Sequence, residues 1–337
     1  MKNLSQGYEF DNILLVPQPS SITSRETVDL ITDIGGLTLK IPIIASPMSG
    51  IVGIDLIKEL GRLGGIGILH RFYNYKDKRL TDIETLEHSA TNFGVAVGLW
   101  DDCYMEACVA GASIICVDVA NGYLDSVLDF TNEIATYINN HNYNCLVMSG
   151  NVATFDGAKR LYDNGAKLIR VGIGSGQLCT TRKNTGVGVP QATAIQDCSY
   201  YLNDIDLLEI GKRERANPKT DWHVVADGGI KNSGDAVKAL GCGADLLMLG
   251  SLFASCFESD NNGKIQGMAS REFQEQFYGE VKKSVEGIQK KAEKTQVLYQ
   301  FIDEFIWNMK SGFTYLNSMD INQLHEGMEF VETGHGT

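Results

Sequence analysis

One cysteine of the sequence lies in a glycine-rich segment whose composition is typical of a catalytic loop. Three glycines precede Cys179 and a threonine follows it by two residues, in the run Gly172-Ile173-Gly174-Ser175-Gly176-Gln177-Leu178-Cys179-Thr180-Thr181-Arg182. Glycine permits backbone conformations that side chains exclude, and a thiolate forms where N–H dipoles, a cation or a base stabilise it. We predict that Cys179 is a nucleophile and that Thr181 relays a proton beside its sulfur. The alternative is a half-buried structural cysteine.

Eight short apolar runs alternate with stretches of helical spacing, and they predict the elements that position this loop. Runs that are apolar on both faces are typical of parallel strands covered by helices. The runs are Ile41–Ala45, Gly65–Leu69, Phe93–Val97, Ile114–Val117, Cys145–Ser149, Leu168–Val171, His223–Ala226 and Leu246–Gly250. The helical stretches include Asp55–Leu63, Asp125–Asn139, Phe155–Asn164 and Gly234–Leu240. Because the count reaches eight and no ribose-binding acid follows a GxGxxG, we expect a (β/α)8 TIM barrel rather than a doubly wound sheet.

Two long segments interrupt the repeat, and no low-complexity linker divides the chain. We expect residues 1–337 to form a single catalytic domain with an active-site loop at 172–191, a flap at 259–297 after the eighth strand, and no tandem regulatory domain. Long irregular segments on a compact domain are commonly functional lids. In a barrel of this kind the functional groups lie at the C-terminal ends of the strands.

Composition excludes several classes of partner. The 337 residues carry a net charge of −13, with a pI of about 4.9. This acidity argues against nucleic acid or an anionic membrane as a partner, although backbone N–H groups can still hold a small phosphate. The N-terminus has no apolar run of signal-peptide length. Eight cysteines without a CxxC pair and six histidines without metal-ligand spacing predict a cytoplasmic protein with reduced thiols and no zinc site.

The run 172–191 resembles the active-site loop of the IMP dehydrogenase / GMP reductase family. The resemblance extends over nearly the whole chain through the motifs at 10–17, Ser46-Pro47-Met48, 227–230 and Leu249-Gly250-Ser251. Three features are similar to the reductase branch. They are the motif 118–123, the absence of a tandem regulatory module, and a short flap that lacks the Arg-Tyr pair with which dehydrogenases activate water but contains Val285-Glu286-Gly287.

The resemblance implies an NADPH-dependent reductive deamination of GMP to IMP and ammonia. In that reaction Cys179 attacks C2 of the purine to form a thioimidate, and Thr181 with Glu286 supplies a proton to the departing amino group. The implied substrate-binding residues are Ser46, Asp227, Gly229, Gly250, Ser251, Gly267 and Met268. The implied cofactor-binding residues are Asp118, Ala120 and Asn121. The resemblance also implies a potassium ion on the carbonyls of Gly174, Gly176 and Cys179, and a homotetramer.

Departures from the family pattern leave the exact substrate open. Gln177 stands where a serine usually contacts the phosphate, Ser175 replaces a proline, and the charged stretch 204–222 is longer than usual. A deoxynucleotide or another guanine derivative, and NADH in place of NADPH, therefore stay possible. Alternative functions are IMP dehydrogenase (IMP to XMP with NAD), an FMN-dependent barrel oxidoreductase, and a non-catalytic nucleotide-binding homologue. Alternative roles are a helix N-cap for Asp118 and a solvated loop acid for Glu286.

Overall fold

The eight predicted strands close into a barrel. The computed structural model describes residues 6–200, 221–281 and 285–334. Its strands are β1 (Ile13–Leu15), β2 (Thr32–Asp33), β3 (Thr38–Leu39), β4 (Ile43–Ala45), β5 (Ile66–Leu69), β6 (Phe93–Val97), β7 (Ile114–Asp118), β8 (Leu146–Val152), β9 (Leu168–Val171), β10 (His223–Asp227), β11 (Leu246–Leu249), β12 (Lys264–Gln266), β13 (Gln289–Lys291) and β14 (Phe330–Glu332). Strands β4 to β11 pair in parallel in chain order, and β11 pairs with β4. The prediction of a (β/α)8 TIM barrel is confirmed.

Helices lie between the barrel strands, and three more follow the last barrel strand in the described part of the chain. They are α1 (Ile54–Arg62), α2 (Lys76–Glu87), α3 (Tyr104–Val109), α4 (Asp125–His141), α5 (Phe155–Asp163), α6 (Thr181–Thr185), α7 (Gln191–Ser199), α8 (Ser233–Gly241), α9 (Arg271–Tyr278), α10 (Leu298–Tyr315) and α11 (Ile321–His325). The four helices predicted from spacing differ from α1, α4, α5 and α8 by no more than two residues at either end. No helix in the described part of the chain is long and apolar enough to span a membrane.

The barrel interior is filled by short apolar side chains from alternate strand positions. Residues such as Ile44, Ile68, Cys116 and Val225 are fully buried there, as the layered packing of a closed parallel barrel requires. The β2–β3 hairpin places Ile34 and Leu39 in the same cluster. Because these two side chains meet residues from the beginnings of the strands, the hairpin closes the N-terminal end of the barrel and leaves the C-terminal end for a ligand.

Helix α4 shows how the outer layer is attached. Its buried residues recur every three or four positions and include Val127, Phe130, Ile134 and Ile138, which gives the helix one apolar face. Burying one such side chain contributes about 2 kcal/mol. Asn142 ends the helix in the left-handed conformation at φ 55°, a conformation that asparagine tolerates better than most residues.

The two long segments contain more regular structure than predicted. The catalytic loop includes α6, and the flap contains the antiparallel pair β12–β13 with α9 between its strands. The flap is therefore not wholly irregular, and Phe273 of α9 is buried. Of the charged stretch 204–222, all but the last two residues lie outside the described part of the chain.

Candidate active site

A cavity of about 560 Å³ opens at the C-terminal ends of the barrel strands, between the catalytic loop and the flap. This volume lies within the range of small-molecule sites. The cavity is lined by almost every residue predicted for the site, namely Ser46, Asp118, Ala120, Gly174, Gly176, Cys179, Thr181, Asp227, Gly229, Gly250, Ser251, Gly267, Met268 and Glu286. Asn121 is the exception: it is exposed, and its side chain accepts a hydrogen bond from the backbone N–H of Tyr123.

Three of these residues form what we call the loop–flap corner: Cys179, Thr181 and Glu286. The sulfur of Cys179 lies 3.1 Å from Oγ1 of Thr181. The Thr181 hydroxyl donates to Oε2 of Glu286 at 2.7 Å. A partly exposed thiol, a hydroxyl and a carboxyl group thus stand in a row, and Glu286 is not the solvated loop acid of the alternative interpretation.

Backbone hydrogen bonds between the loop and the flap build this corner. Thr180 N–H donates to the carbonyl of Glu286, and Ile288 N–H donates to the carbonyl of Leu178, each at 3.0 Å. The two segments pass so closely that a Cβ on Gly287 would lie 3.3 Å from the carbonyl oxygen of Leu178. Glycine at this position therefore lets the flap approach the loop. As a result, the side chain of the preceding residue, Glu286, lies beside Thr181.

A second group, which we call the strand-end triad, consists of Asp118, Arg170 and Asp227. They stand near or at the ends of β7, β9 and β10. The Arg170 guanidinium donates from Nη1 to Asp118 at 2.8 Å and from Nη2 to Asp227 at 2.9 Å. Asn151 also donates to Oδ2 of Asp227, at 2.8 Å. Buried charges are tolerated when they are paired in this way, and the arginine side chain is only 6 % exposed.

The triad and Arg71 keep Asp118 ionised. Burial raises the pKa of the Asp118 carboxyl, but the positive charges of Arg170 and Arg71 outweigh it and hold the pKa below its ordinary value of 3.8. Arg71 Nε donates to Oδ2 and to the backbone carbonyl of Asp118, at 3.1 Å each. The terminal nitrogens of Arg71 donate to no described residue, and Arg71 lines the cavity. Asp118 is not a helix N-cap, since Leu124 occupies that position before α4.

The cavity also presents unused backbone donors after the ends of β10 and β11. No described residue accepts a hydrogen bond from the N–H groups of Gly229, Gly250 or Ser251. Gln177 lies beside them, because its Oε1 accepts from the hydroxyl of Ser251 at 3.3 Å. The loop approaches so closely that a Cβ on Gly228, whose φ is +92°, would lie 2.4 Å from Oγ of Ser175. N–H groups converging on a cavity are a common anion site.

The carbonyls predicted to bind a cation lie in the same loop. The Gly176 carbonyl accepts from the N–H of Cys179 at 3.0 Å and keeps a second lone pair. Gly174 adopts a φ of +70°, which glycine adopts without strain. Among the described residues, no cluster of histidine, cysteine, aspartate or glutamate side chains could hold a metal ion.

Comparison with known sequences identifies the family. The sequence profile of the IMP dehydrogenase / GMP reductase domain matches residues 7–337. The chain belongs to this family. It is therefore a member of a family of oxidoreductases that act on purine nucleotides, as the motifs predicted.

Relatives within the family carry both names. The chain is 27 % identical to an inosine-5'-monophosphate dehydrogenase of Streptococcus pyogenes, over 98 % of this chain and 94 % of the relative. It is 30 % identical to that of Cryptosporidium parvum, over 98 % and 93 %. It is also 30 % identical to GMP reductase 2 of Bos taurus, over 80 % of this chain and 74 % of the relative. These identities show the family. They do not distinguish the dehydrogenase branch from the reductase branch, which must be argued from the site.

Three residues of the site in this family member were missing from the sequence predictions. Arg71, Asn151 and Arg170 contact the predicted acids Asp118 and Asp227. The sequence did contain a signal for Arg170. This residue interrupts the apolar run of β9, and a charge inside a barrel strand requires a partner. Asn151 lies near the C-terminal end of β8, where the functional groups of a barrel were expected.

Proposed function

We propose that this protein is a GMP reductase, which converts GMP to IMP and ammonia with NADPH. The observation that carries the proposal is the carboxyl group of Glu286 on the hydroxyl of Thr181, directly beside the sulfur of Cys179. Expelling an amino group requires a proton donor, and a carboxyl group that reaches the site through a hydroxyl can act as one. The sequence of the flap contains no Arg-Tyr pair with which a water molecule could be activated instead.

The residues of the loop–flap corner perform the bond changes at C2. The Cys179 thiolate attacks C2 of the guanine, so that a C–S bond forms and the bond from C2 to the amino nitrogen breaks. Thr181 passes a proton from Glu286 to that nitrogen, which leaves as ammonia. Bound NADPH supplies a hydride to C2, after which the C–S bond breaks and the thiolate is restored. GMP, NADPH and two protons thus give IMP, NADP⁺ and ammonium.

The remaining cavity residues suit a mononucleotide. Oδ1 of Asp227 accepts no hydrogen bond from a described residue, so we propose that it accepts from the ribose hydroxyls. We assign the 5'-phosphate to the N–H groups of Gly229, Gly250 and Ser251, with Gln177 as an additional amide contact. Ser46 and Gly267-Met268 would line the base, since they face the same cavity as Cys179.

The end of the cavity near Asp118 fits the cofactor. Asp118, Val119 and Ala120 line it together with Arg71. Asp118 stays ionised there and keeps lone pairs for the hydroxyls of a nicotinamide ribose, and the terminal nitrogens of Arg71 suit a phosphate. Asn121 is not among the residues that line the cavity, and its Oδ1 accepts from the backbone N–H of Tyr123, so we assign no cofactor contact to it in this conformation.

Further features of the proposal follow from family membership. We propose a potassium ion on the carbonyls of Gly174, Gly176 and Cys179, a homotetramer, and a cytoplasmic location. We also propose that the single barrel domain of residues 1–337 carries the activity without a tandem regulatory domain. Size-exclusion chromatography with light scattering tests the assembly, and replacing potassium by lithium or sodium in the assay tests the cation.

Two substrate pairs test the proposed reaction. Purified protein is incubated with GMP plus NADPH, and separately with IMP plus NAD, while the absorbance of reduced nicotinamide is followed. We expect oxidation of NADPH that depends on GMP, and none with Cys179→Ala. Parallel reactions with dGMP and with NADH define the sugar and cofactor preference. Reaction of IMP with NAD alone would assign the protein to the dehydrogenase branch, and a bound flavin in the visible spectrum would indicate the FMN-dependent alternative.

A further inference from the structure

Arg182 lies three residues after Cys179, and its guanidinium contacts both ends of the catalytic loop. Its Nε donates to the carbonyl of Ile173 at 2.7 Å, and its Nη2 donates to the carbonyl of Val189. Ile173 and Val189 lie near the first and the last residue of the loop 172–191. A single side chain therefore closes the loop into a ring, with the nucleophile on the segment that the ring encloses.

Two glycines leave the space through which this side chain passes. A Cβ on Gly174, whose φ is +70°, would lie 2.5 Å from Cγ of Arg182. A Cβ on Gly188 would lie 2.7 Å from both Cγ and Nε of the same arginine. Real Cβ atoms do not come so close to another heavy atom, so any other residue at either position would displace the arginine. The two glycines, one toward each end of the loop, therefore leave the room that the Arg182 side chain occupies.

The N-terminal segment supplies the third partner of Arg182. Glu9 forms an ion pair with Nη1 through Oε1, and its Oε2 accepts from the backbone N–H of Gln191 at 2.9 Å. The segment itself is fixed to the barrel next to that point, since Tyr8 N–H donates to Oγ1 of Thr193 at 2.8 Å and the Tyr8 carbonyl accepts from Ala192. Glu9 thus attaches the closed loop to a rigid neighbour.

We propose that Arg182, held by Glu9, is the positioning residue of the reaction: it fixes the catalytic loop so that the sulfur of Cys179 stands at its working position. Arg182 does not line the cavity, and its Nε and both Nη groups each have an acceptor. It therefore acts through the loop rather than on a ligand. This proposal rests on the nucleophilic role of Cys179 in the proposed function. Arg182 and Glu9 take no part in the bond changes of that reaction.

The first test is chemical rescue of Arg182→Ala. A displacement of a reacting group by about 1 Å can reduce a rate about 100-fold, so we expect kcat to fall by about that factor, with a smaller change in the nucleotide KM. Millimolar guanidinium chloride should restore at least a tenth of the lost rate by occupying the vacated site. The matched control is Lys183→Met, which changes the adjacent exposed cation and should keep wild-type activity and show no response to guanidinium.

A double-mutant cycle tests the role of Glu9. Glutamine at position 9 keeps one acceptor oxygen and turns an amide N–H₂ toward a donor, so Glu9→Gln should reduce kcat about tenfold. Because both residues act through one contact, Glu9→Gln combined with Arg182→Ala should be no slower than Arg182→Ala alone. Losses that multiply would show that the two residues act separately and would overturn the pairing.

Hydrogen exchange separates this inference from the proposed reaction, since it needs no substrate. Amides of the loop 172–191 should exchange at least about tenfold faster in Arg182→Ala, and guanidinium should slow them again, while α10 exchanges as in the wild type. If the loop amides exchange faster in Arg182→Ala but the protein reacts with neither substrate pair, Arg182 fixes the loop and the proposed reductase activity is wrong. Unchanged exchange together with unchanged kcat would overturn the role of Arg182.

Discussion

The loop–flap corner and the strand-end triad face the same cavity, but they are built differently. The corner joins Cys179, Thr181 and Glu286 from two connecting segments through contacts of 3.1 Å and 2.7 Å. The triad joins the ends of three barrel strands through ion pairs of 2.8 Å and 2.9 Å, around an arginine that is 6 % exposed. The proposed bond-making groups thus lie on segments outside the barrel, whereas the charged groups of the triad lie at the ends of its strands.

The difference predicts two kinds of mutational effect. Changes in the corner should alter kcat and leave the free energy of unfolding nearly unchanged, because its side chains are partly exposed and fill no core. Changes in the triad should alter both ligand binding and stability, because a buried charge that loses its partner is costly. The following variants separate the two regions.

The largest effect is expected from Cys179→Ala. Removing a nucleophile lowers kcat by about 10⁴-fold or more, and the free energy of unfolding should stay within about 1 kcal/mol of wild type. Cys145 is the matched control, because it is the other cysteine that is not fully buried, and Cys145→Ala should keep its activity. Steady-state rates and urea unfolding measure both quantities. Activity within tenfold of wild type in Cys179→Ala would refute the covalent step.

Glu286→Gln removes the proposed proton donor of the corner and keeps its shape. General acid catalysis contributes about 10²- to 10⁴-fold, so we expect kcat to fall at least about 100-fold with little change in either KM. Thr181→Val should show a similar loss, and the double variant should be no worse, since both act on one proton. Glu275→Gln, on the exposed face of α9, is the control. Equal rates for Glu286→Gln and Glu275→Gln would contradict the proposed relay.

Asp118→Asn breaks the triad. We expect the cofactor KM to rise about tenfold and the free energy of unfolding at pH 7 to fall by about 2 kcal/mol. The folded pKa of Asp118 lies below its ordinary value of 3.8, so its stabilisation is present above the unfolded pKa and is lost as the pH falls through the folded pKa. Urea midpoints of variant and wild type should therefore differ at pH 7 and converge as the pH falls through the folded pKa, below 3.8. A constant difference would contradict this assignment.

The smallest effect is expected from Gln177→Ser, which restores the residue that the family usually has there. Gln177 is exposed and forms one hydrogen bond of 3.3 Å with Ser251. One such bond contributes about 1 kcal/mol, so the KM for the nucleotide should change by less than about tenfold and kcat should not change. A larger shift, or a change of preference between GMP and dGMP, would identify Gln177 as the residue that sets substrate choice.

Local pattern was enough to predict the barrel and to select Cys179 and Thr181 as candidate residues. The barrel strands are largely apolar runs, as burial on both faces requires, whereas Glu286 was selected only through the family resemblance. The triad was not predicted, because Asp118 and Arg170 are 52 positions apart and meet only when the barrel closes. Asn121, in contrast, is close to Asp118 in sequence but does not join it in the cavity. The chain turns at this point, and the Asn121 side chain accepts a hydrogen bond from Tyr123.

An isotope-labelling experiment tests the proposed reduction of GMP most directly. GMP carrying ¹⁵N in its 2-amino group is reacted with NADPH deuterated at C4 of the nicotinamide, and the products are analysed by mass spectrometry and NMR. We predict that the ¹⁵N appears in ammonium, and that IMP carries deuterium at C2, in equal amounts. Ammonium without deuterium in IMP, or no reaction of GMP while IMP reduces NAD, would contradict the reductase assignment.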